Sequence, residues 1–341
     1  MYKASVVILN WNGIGFLRQY LPLLVEHTTF KDVELVVADN NSSDGSQEYV
    51  KQMFPTIRLV EFSKNYGFAG GYNLALSKIE AKYFILLNSD VEVTKGWIEP
   101  LLDFLDKNEN VAAVMPKVLS VHDRSMFEYA GAAGGYIDIF GYPFCRGRVF
   151  DHLEKDNCQY DDVAEVFWAT GACLTIRSEV YKAVGGLDEH FFAHMEEIDL
   201  CWRVHWAGFR IFCVPQSLIF HYGGGALPKE NPKKIFFNIR NSLYMMLKNL
   251  PLAYLPFILF CRLFFDAVAG FQFLLKKKPA FAWAVVRAWF SFFVKVPFYL
   301  NYRQKSHKTR VSKEWKKLVF HKSVVCSYFV LKKQTFSQII K

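Results

Sequence analysis

Acid is nearly missing from the end of this chain. Residues 251–341 hold two acidic residues against 17 Lys and Arg, while residues 1–250 hold 30 acidic against 24 basic. A mildly acidic body therefore carries a strongly basic tail. Paired cysteines are missing too. The seven are scattered, without a CxxC, which excludes a zinc ribbon or a secreted disulfide scaffold and fits a reducing cytoplasm. The chain has no GxGxxG and no Walker loop, so the two common glycine-rich nucleotide signatures are excluded. It has no internal repeat and no low-complexity tract. The first apolar run, Ala4–Leu9, stops at Asn10 and is too short for a secretory leader, so no signal peptide is expected.

Apolar residues, at 52% of 341, are plentiful enough for a large core, and the length suits one large α/β domain with an appendage. Up to residue 105, short apolar runs alternate with helical patterns. Strands are expected at Val6–Leu9, Val33–Ala38, Ile57–Phe62 and Phe84–Leu87, with helices over Phe16–Glu26, Ser46–Met53 and from Asn73 to about Ile79. That alternation predicts βαβ units and a mostly parallel, doubly wound sheet. Residues 117–163 break the pattern with glycines among aromatics and read as an insertion shaping the acceptor side. Glu165–Arg177 reads as one strand interrupted by Gly171, and Ser217–Phe220 as another.

The polar clusters all follow strands, at the edge where open α/β sheets bind ligands. The run Phe84-Ile85-Leu86-Leu87 ends in Asn88-Ser89-Asp90, a triplet suited either to a turn or to a hard divalent cation that shares oxygen ligands with phosphate. Asp39 opens a turn running to Ser46, where a carboxylate can accept from a base N–H or a ribose hydroxyl, or simply begin a helix. Asn65–Asn73 is glycine-rich and opens a helix, so its backbone can approach a phosphate. Glu196, Glu197 and Asp199 cluster at a helix start with Arg203 one turn on. Such crowding raises a carboxyl pKa toward that of a general base, although an acidic first turn also suits the helix dipole. His221 ends a strand before Tyr222-Gly223-Gly224-Gly225 and could ligate a metal or contact phosphate.

In this order the motifs resemble the family 2 glycosyltransferases with the GT-A fold, and more closely their rhamnosyltransferase-like branch. The stretches that carry the resemblance are Val6–Asn12, Val37–Ser46, Asn65–Asn73, Leu87–Asp90, Gly171–Cys173 with Gly185–Glu189, and Glu196–Arg203. It spans residues 3–250, taken as the GT-A domain 1–250.

The resemblance implies an inverting enzyme that uses a divalent metal, Mn²⁺ or Mg²⁺. The donor would be a nucleotide-sugar of the dTDP-rhamnose or UDP-hexose class. Asp39 would bind the base, with Asn10, Asn12, Asn41, Asn65, Gly70, Asn73, Asn88 and Arg203 completing the donor site. Asp90 and His221 would hold the metal. Glu197, with Glu196 and Asp199, would supply the base, Glu196 being the alternative to Glu197. Two departures stand out. Asn88 replaces a common Asp, and Glu196-Glu197 stands where relatives have Glu-Asp. They keep open a non-catalytic nucleotide-sugar-binding or scaffold protein. A nucleotidyltransferase fits less well, because Asn10–Gly15 has no Arg or Lys after the first strand.

The basic tail, residues 251–341, holds 15 aromatics in residues 251–300, too many for a tail kept only for solubility. Pro256–Leu275 is long enough to span a bilayer. Its twelve Leu, Ile, Val and Phe gain about 4–7 kcal/mol on insertion, but Arg262 and Asp266 cost roughly 5–7. The balance favours helices lying on the membrane, anchored by Trp283 and Trp289 and by Lys276-Lys277-Lys278 on anionic lipid, the alternative being a helical hairpin packed on the catalytic domain. The phenylalanines suit lipid better than stacked bases, so no nucleic-acid partner is expected. The expected location is cytoplasmic, peripheral on the inner face of the plasma membrane. The acceptor would be a lipid-linked or growing glycan in bacterial surface polysaccharide synthesis.

Overall fold

The computed structural model describes residues 1–223, 231–305 and 310–341. Gly224 and Gly225, the end of the expected glycine loop after His221, lie outside them.

The expected alternation is present. β1 (Tyr2–Asn10), α1 (Ile14–His27), β2 (Val33–Asp39), α2 (Ser46–Met53), β3 (Arg58–Glu61), α3 (Gly67–Leu76) and β4 (Ala81–Asn88) follow one another as βαβ units. β1 lies parallel to both β2 and β4, with Val7 opposite Val36 and Leu86. These strands are apolar runs because helices cover both faces, and Val6, Val7, Phe84 and Ile85 are buried. Beyond them come β5 (Val91–Val93), α4 (Glu99–Lys107) and the ten-residue β6 (Val111–Ser120).

The irregular stretch forms a second sheet through β7 (Gly135–Asp138), β8 (Pro143–Cys145), β9 (Arg148–Val149) and β10 (His152–Leu153). The expected strand over 165–177 is two strands. β11 (Ala164–Glu165) pairs with β13 (Arg210–His221), whereas β12 (Cys173–Arg177) runs antiparallel between β4 and β6. The residues between them turn aside because Trp168 bonds across to Gly135, where any Cβ would fall 2.0 Å from the indole. The main sheet thus runs β11-β13-β6-β12-β4-β1-β2-β3, with β5 on β13. β13 is longer than expected and tolerates Pro215 because its register with β6 shifts between Val214 and Leu218. α5 (Ser178–Ala183) and α6 (Glu196–Trp206) flank β12 and β13 in sequence.

α7 (Pro232–Asn249), α8 (Leu255–Leu275) and α9 (Pro279–Lys305) pack on one another, with Tyr244 of α7 against Tyr299 and Phe292 of α9. The chain then returns to the body. β14 (Val319–Phe320) joins β7, and α10 (Phe336–Ile340) sets Phe336 against Tyr136 and Phe144. The change of composition at residue 250 therefore marks no break in the core, since Phe292, Trp315 and Phe336 share one apolar cluster with β1 and β4.

α8 and α9 are long and apolar enough to cross a membrane. Arg262 and Asp266 both point inward. Arg262 donates to the Phe140 carbonyl and the Ser242 hydroxyl, and Asp266 accepts from Tyr142 and Trp289. The outer face is left to Phe257, Phe260, Phe264 and Phe271 of α8 and Trp283, Phe290 and Phe293 of α9, with Phe260 and Phe290 each 72% exposed.

Candidate active site

A cleft of about 1350 Å³ opens at the carboxyl ends of β1 and β4. Its walls include Trp11, Asn12, Asn65, Phe68, Asn88, Asp90, Glu128, Trp168, Glu196, Glu197 and His221, together with Arg240 of α7 and Trp283 and Arg287 of α9.

β4 delivers Asn88 and Asp90, and the pairing of β5 with β13 sets Val91 opposite His221. Asp90 and His221 thus meet across the sheet edge, Nε2 lying 3.1 Å from Oδ1. Sequence reasoning missed Glu128, whose Oε2 lies 3.2 Å from the other ring nitrogen, Nδ1. Glu128 sits in the irregular stretch, where nothing but a carboxylate among aromatics marks it. Burial pulls the His221 pKa down, but Glu128 and Asp90 more than reverse this and push it up to about 10. Burial alone would raise the Asp90 and Glu128 carboxyls, yet the imidazolium holds both below their usual range.

Among the described residues no three His, Cys, Asp or Glu converge as a metal centre. One carboxylate oxygen and one imidazole nitrogen 3.1 Å apart do suit two neighbouring ligands of an Mn²⁺- or Mg²⁺-sized ion, which at bonds of about 2.1 Å would stand roughly 3 Å apart. Such an ion ordinarily completes its shell with phosphate and water.

Glu196 and Glu197 enter from the first turn of α6. The turn before it has three left-handed non-glycine residues, Phe192, His194 and Met195, with φ between 65° and 72°. Each costs of order 1–3 kcal/mol and persists only where neighbours fix it. Here they do. Asn241 of α7, fully buried, donates to the carbonyls of Phe191, Ala193 and His194, and Arg240 donates to those of His190 and Phe191. Neither glutamate has a partner for Oε2. Burial pushes the Glu197 pKa up to about 7, and burial plus the neighbouring Glu197 pushes Glu196 well above the usual range. Glu196 is the deeper of the two and Glu197 is half-buried.

Several expected residues are placed elsewhere. Asp199 does not join the glutamates. It is fully buried, and it accepts from Arg203, Lys248 and Asn249, so Arg203 is occupied in the same cluster. The i,i+3 spacing overlooked that Lys248 and Asn249 of α7 pull Asp199 to the opposite side. Asn73 is tied to Leu187 and Tyr181. The glycine loop is needed for packing: a Cβ on Gly67 would strike Phe192 at 2.7 Å, one on Gly71 would strike Leu9 at 2.7 Å, and Gly70 sits against Tyr66. Asp39 and Asn10 are wholly buried and bonded to each other, with Ser42 N–H and Gln47 also donating to Asp39, so they brace the loop beneath the cleft. Asn41, exposed and left-handed, lies on that loop. Asn12, Asn65 and Asn88 do line the cleft.

Residues 5–137 match the model for glycosyl transferase family 2. The chain is 26% identical over 232 residues to the N-acetylglucosaminyl-diphospho-decaprenol L-rhamnosyltransferase of Mycobacterium tuberculosis, covering 64% of this chain and 75% of that one. It is 24% identical over 216 residues to rhamnosyltransferase WbbL of Escherichia coli, covering 60% and 78%. Among solved structures it resembles GalNAc-T7 with UDP, GalNAc and Mn²⁺, at a TM-score of 0.57 and 17% identity over 73% of this chain and 48% of that one. It also resembles the mannosyltransferase PcManGT of Pyrobaculum calidifontis with GDP-Man and Mn²⁺, at 0.53 and 13% over 92% and 82%. These likenesses establish the GT-A fold.

Proposed function

We propose that this chain, which belongs to glycosyl transferase family 2 and its rhamnosyltransferase-like branch, transfers a sugar with inversion from a nucleotide-sugar to a lipid-linked glycan. The donor is of the dTDP-rhamnose or UDP-hexose class, and the acceptor belongs to bacterial envelope polysaccharide synthesis. The observation that carries this reading is a half-buried Glu197 with a free carboxylate oxygen and a pKa of about 7, in the same cleft as the Asp90–His221 pair.

Glu197 takes the proton from the acceptor hydroxyl as that oxygen attacks the anomeric carbon, and its pKa near neutrality suits it to do so. Deeper burial and the neighbouring Glu197 push the Glu196 carboxyl well above the usual range, which favours its neutral form and limits the charge beside the base. Asp90 and His221 would hold the divalent cation, which supplies charge neutralisation to the departing diphosphate. Trp11, Phe68 and Trp168 shape the cavity around the donor. Residues 1–250 carry transfer, and the apolar outer face of α8 and α9 rests on anionic lipid at the cytoplasmic surface, since the two charges of α8 are spent inside and α9 keeps exposed cations, Arg287 and Lys295, for the headgroups.

Differential scanning with UDP, dTDP, GDP and their sugars, each with and without Mn²⁺, tests the reading. One nucleotide should raise the melting temperature only with metal, and Asp90→Ala should abolish that shift. No shift with any nucleotide would count against it.

A further inference from the structure

We infer that Glu128 is a positioning residue of the cation site, one that fixes which nitrogen of His221 faces the ion. The inference rests on the proposed metal role of Asp90 and His221. A neutral imidazole carries one N–H, and the hydrogen bond made by one nitrogen decides that the other offers its lone pair. In His221 the two nitrogens face different carboxylates: Nε2 is hydrogen-bonded to Asp90 at 3.1 Å, and Nδ1 lies 3.2 Å from Glu128 Oε2 as an ion-pair contact outside hydrogen-bond alignment, both carboxylates lining the cleft. Were a cation to take the place of the proton between Nε2 and Asp90, Glu128 would be the carboxylate facing the remaining Nδ1 proton, and Nε2 and the Asp90 oxygen would converge as ligands.

Glu128 is built to stay where it is. It is buried, the Leu119–Phe127 bridge and its own N–H to the Val118 carbonyl bind it to β6, and its Oε2 accepts the Ala130 N–H. Its Oε1 occupies space that Gly223 leaves open, because a Cβ there would come within 2.6 Å of it. This follows the general pattern in which a carboxylate behind a ligating histidine sets ring orientation and basicity, and its loss weakens metal binding by 10–100-fold.

The test is Mn²⁺ binding, read by the paramagnetic resonance of free Mn²⁺ in the presence of whichever of UDP or dTDP the scanning experiment selects. Wild type, Asp90→Ala, Glu128→Ala and Glu128→Gln are compared, each shown folded by circular dichroism. Glu128→Ala should weaken binding by roughly 10–100-fold. Glu128→Gln keeps an oxygen that accepts the Nδ1 proton, so it should stay within a few-fold of wild type. Equal affinity in all three Glu128 forms, or a folded Gln variant as poor as Ala, would overturn the inference while Asp90→Ala still upheld the site. Absence of Mn²⁺ binding in wild type would remove the site and the role of Glu128 together.

Discussion

The cleft and the helical hairpin of α8 and α9 both bury charge, and they do so in opposite ways. In the hairpin, Arg262 and Asp266 are matched to carbonyl, hydroxyl, phenol and indole partners. The Asp199–Arg203–Lys248 cluster is matched in the same way. In the cleft, Glu196 and Glu197 each have a carboxylate oxygen left over, as Arg262 has its Nε and Arg203 its Nη2, but the glutamates neighbour a like charge where each arginine faces a carboxylate. The contrast separates scaffold from chemistry. A matched buried charge holds elements together, whereas an unmatched one has its pKa displaced and is available to a substrate.

The largest effect expected from breaking this contrast is at Glu197. Glu197→Gln should cut transfer by about 10²–10⁴-fold while the metal-dependent nucleotide shift persists. In wild type, kcat/KM should climb with pH through an acid limb near 7, where the free carboxyl ionises. The same variant should be more stable. A carboxyl whose folded pKa of about 7 exceeds its ordinary 4.5 costs the folded state nothing at pH 4 and most above 7. The melting temperature of Glu197→Gln should therefore rise by a few degrees at pH 8 and stay unchanged at pH 4, which differential scanning reads.

A matched charge should respond in the other direction. Asp199→Ala leaves buried Arg203 without its carboxylate and Lys248 with Asp188 alone, and should cost about 3–5 kcal/mol of stability by urea unfolding. The smallest effect expected is at the hairpin surface. Serine at Phe257, Phe260 and Phe264 together should lower binding to anionic liposomes by roughly tenfold in a flotation assay and leave the melting temperature within a degree or two, because these rings touch little else.

Strand ends were legible in the sequence because a doubly covered strand is an unbroken apolar run, so the polar residue that ends it stands out. Asn88, Asp90 and His221 were found that way. Asp199 and Arg203 were misplaced because their partners Lys248 and Asn249 lie some fifty positions away, beyond the reach of any helical spacing rule. Glu128 was invisible because it is delivered by a bridge to β6 from a stretch with no period. The direction of Arg262 and Asp266 had a cue that a hydropathy sum discards. Four residues apart, they share one helix face and leave the other free.

One helix both walls the cleft, through Trp283 and Arg287, and bears the outward Phe290 and Phe293. If α9 rests on lipid as proposed, the enzyme would meet its acceptor in the plane of the membrane, and crowding per unit area would replace molarity as the quantity that sets its pace. Two such enzymes sharing a patch of bilayer compete for the same lipids even when the surrounding fluid holds almost none of them.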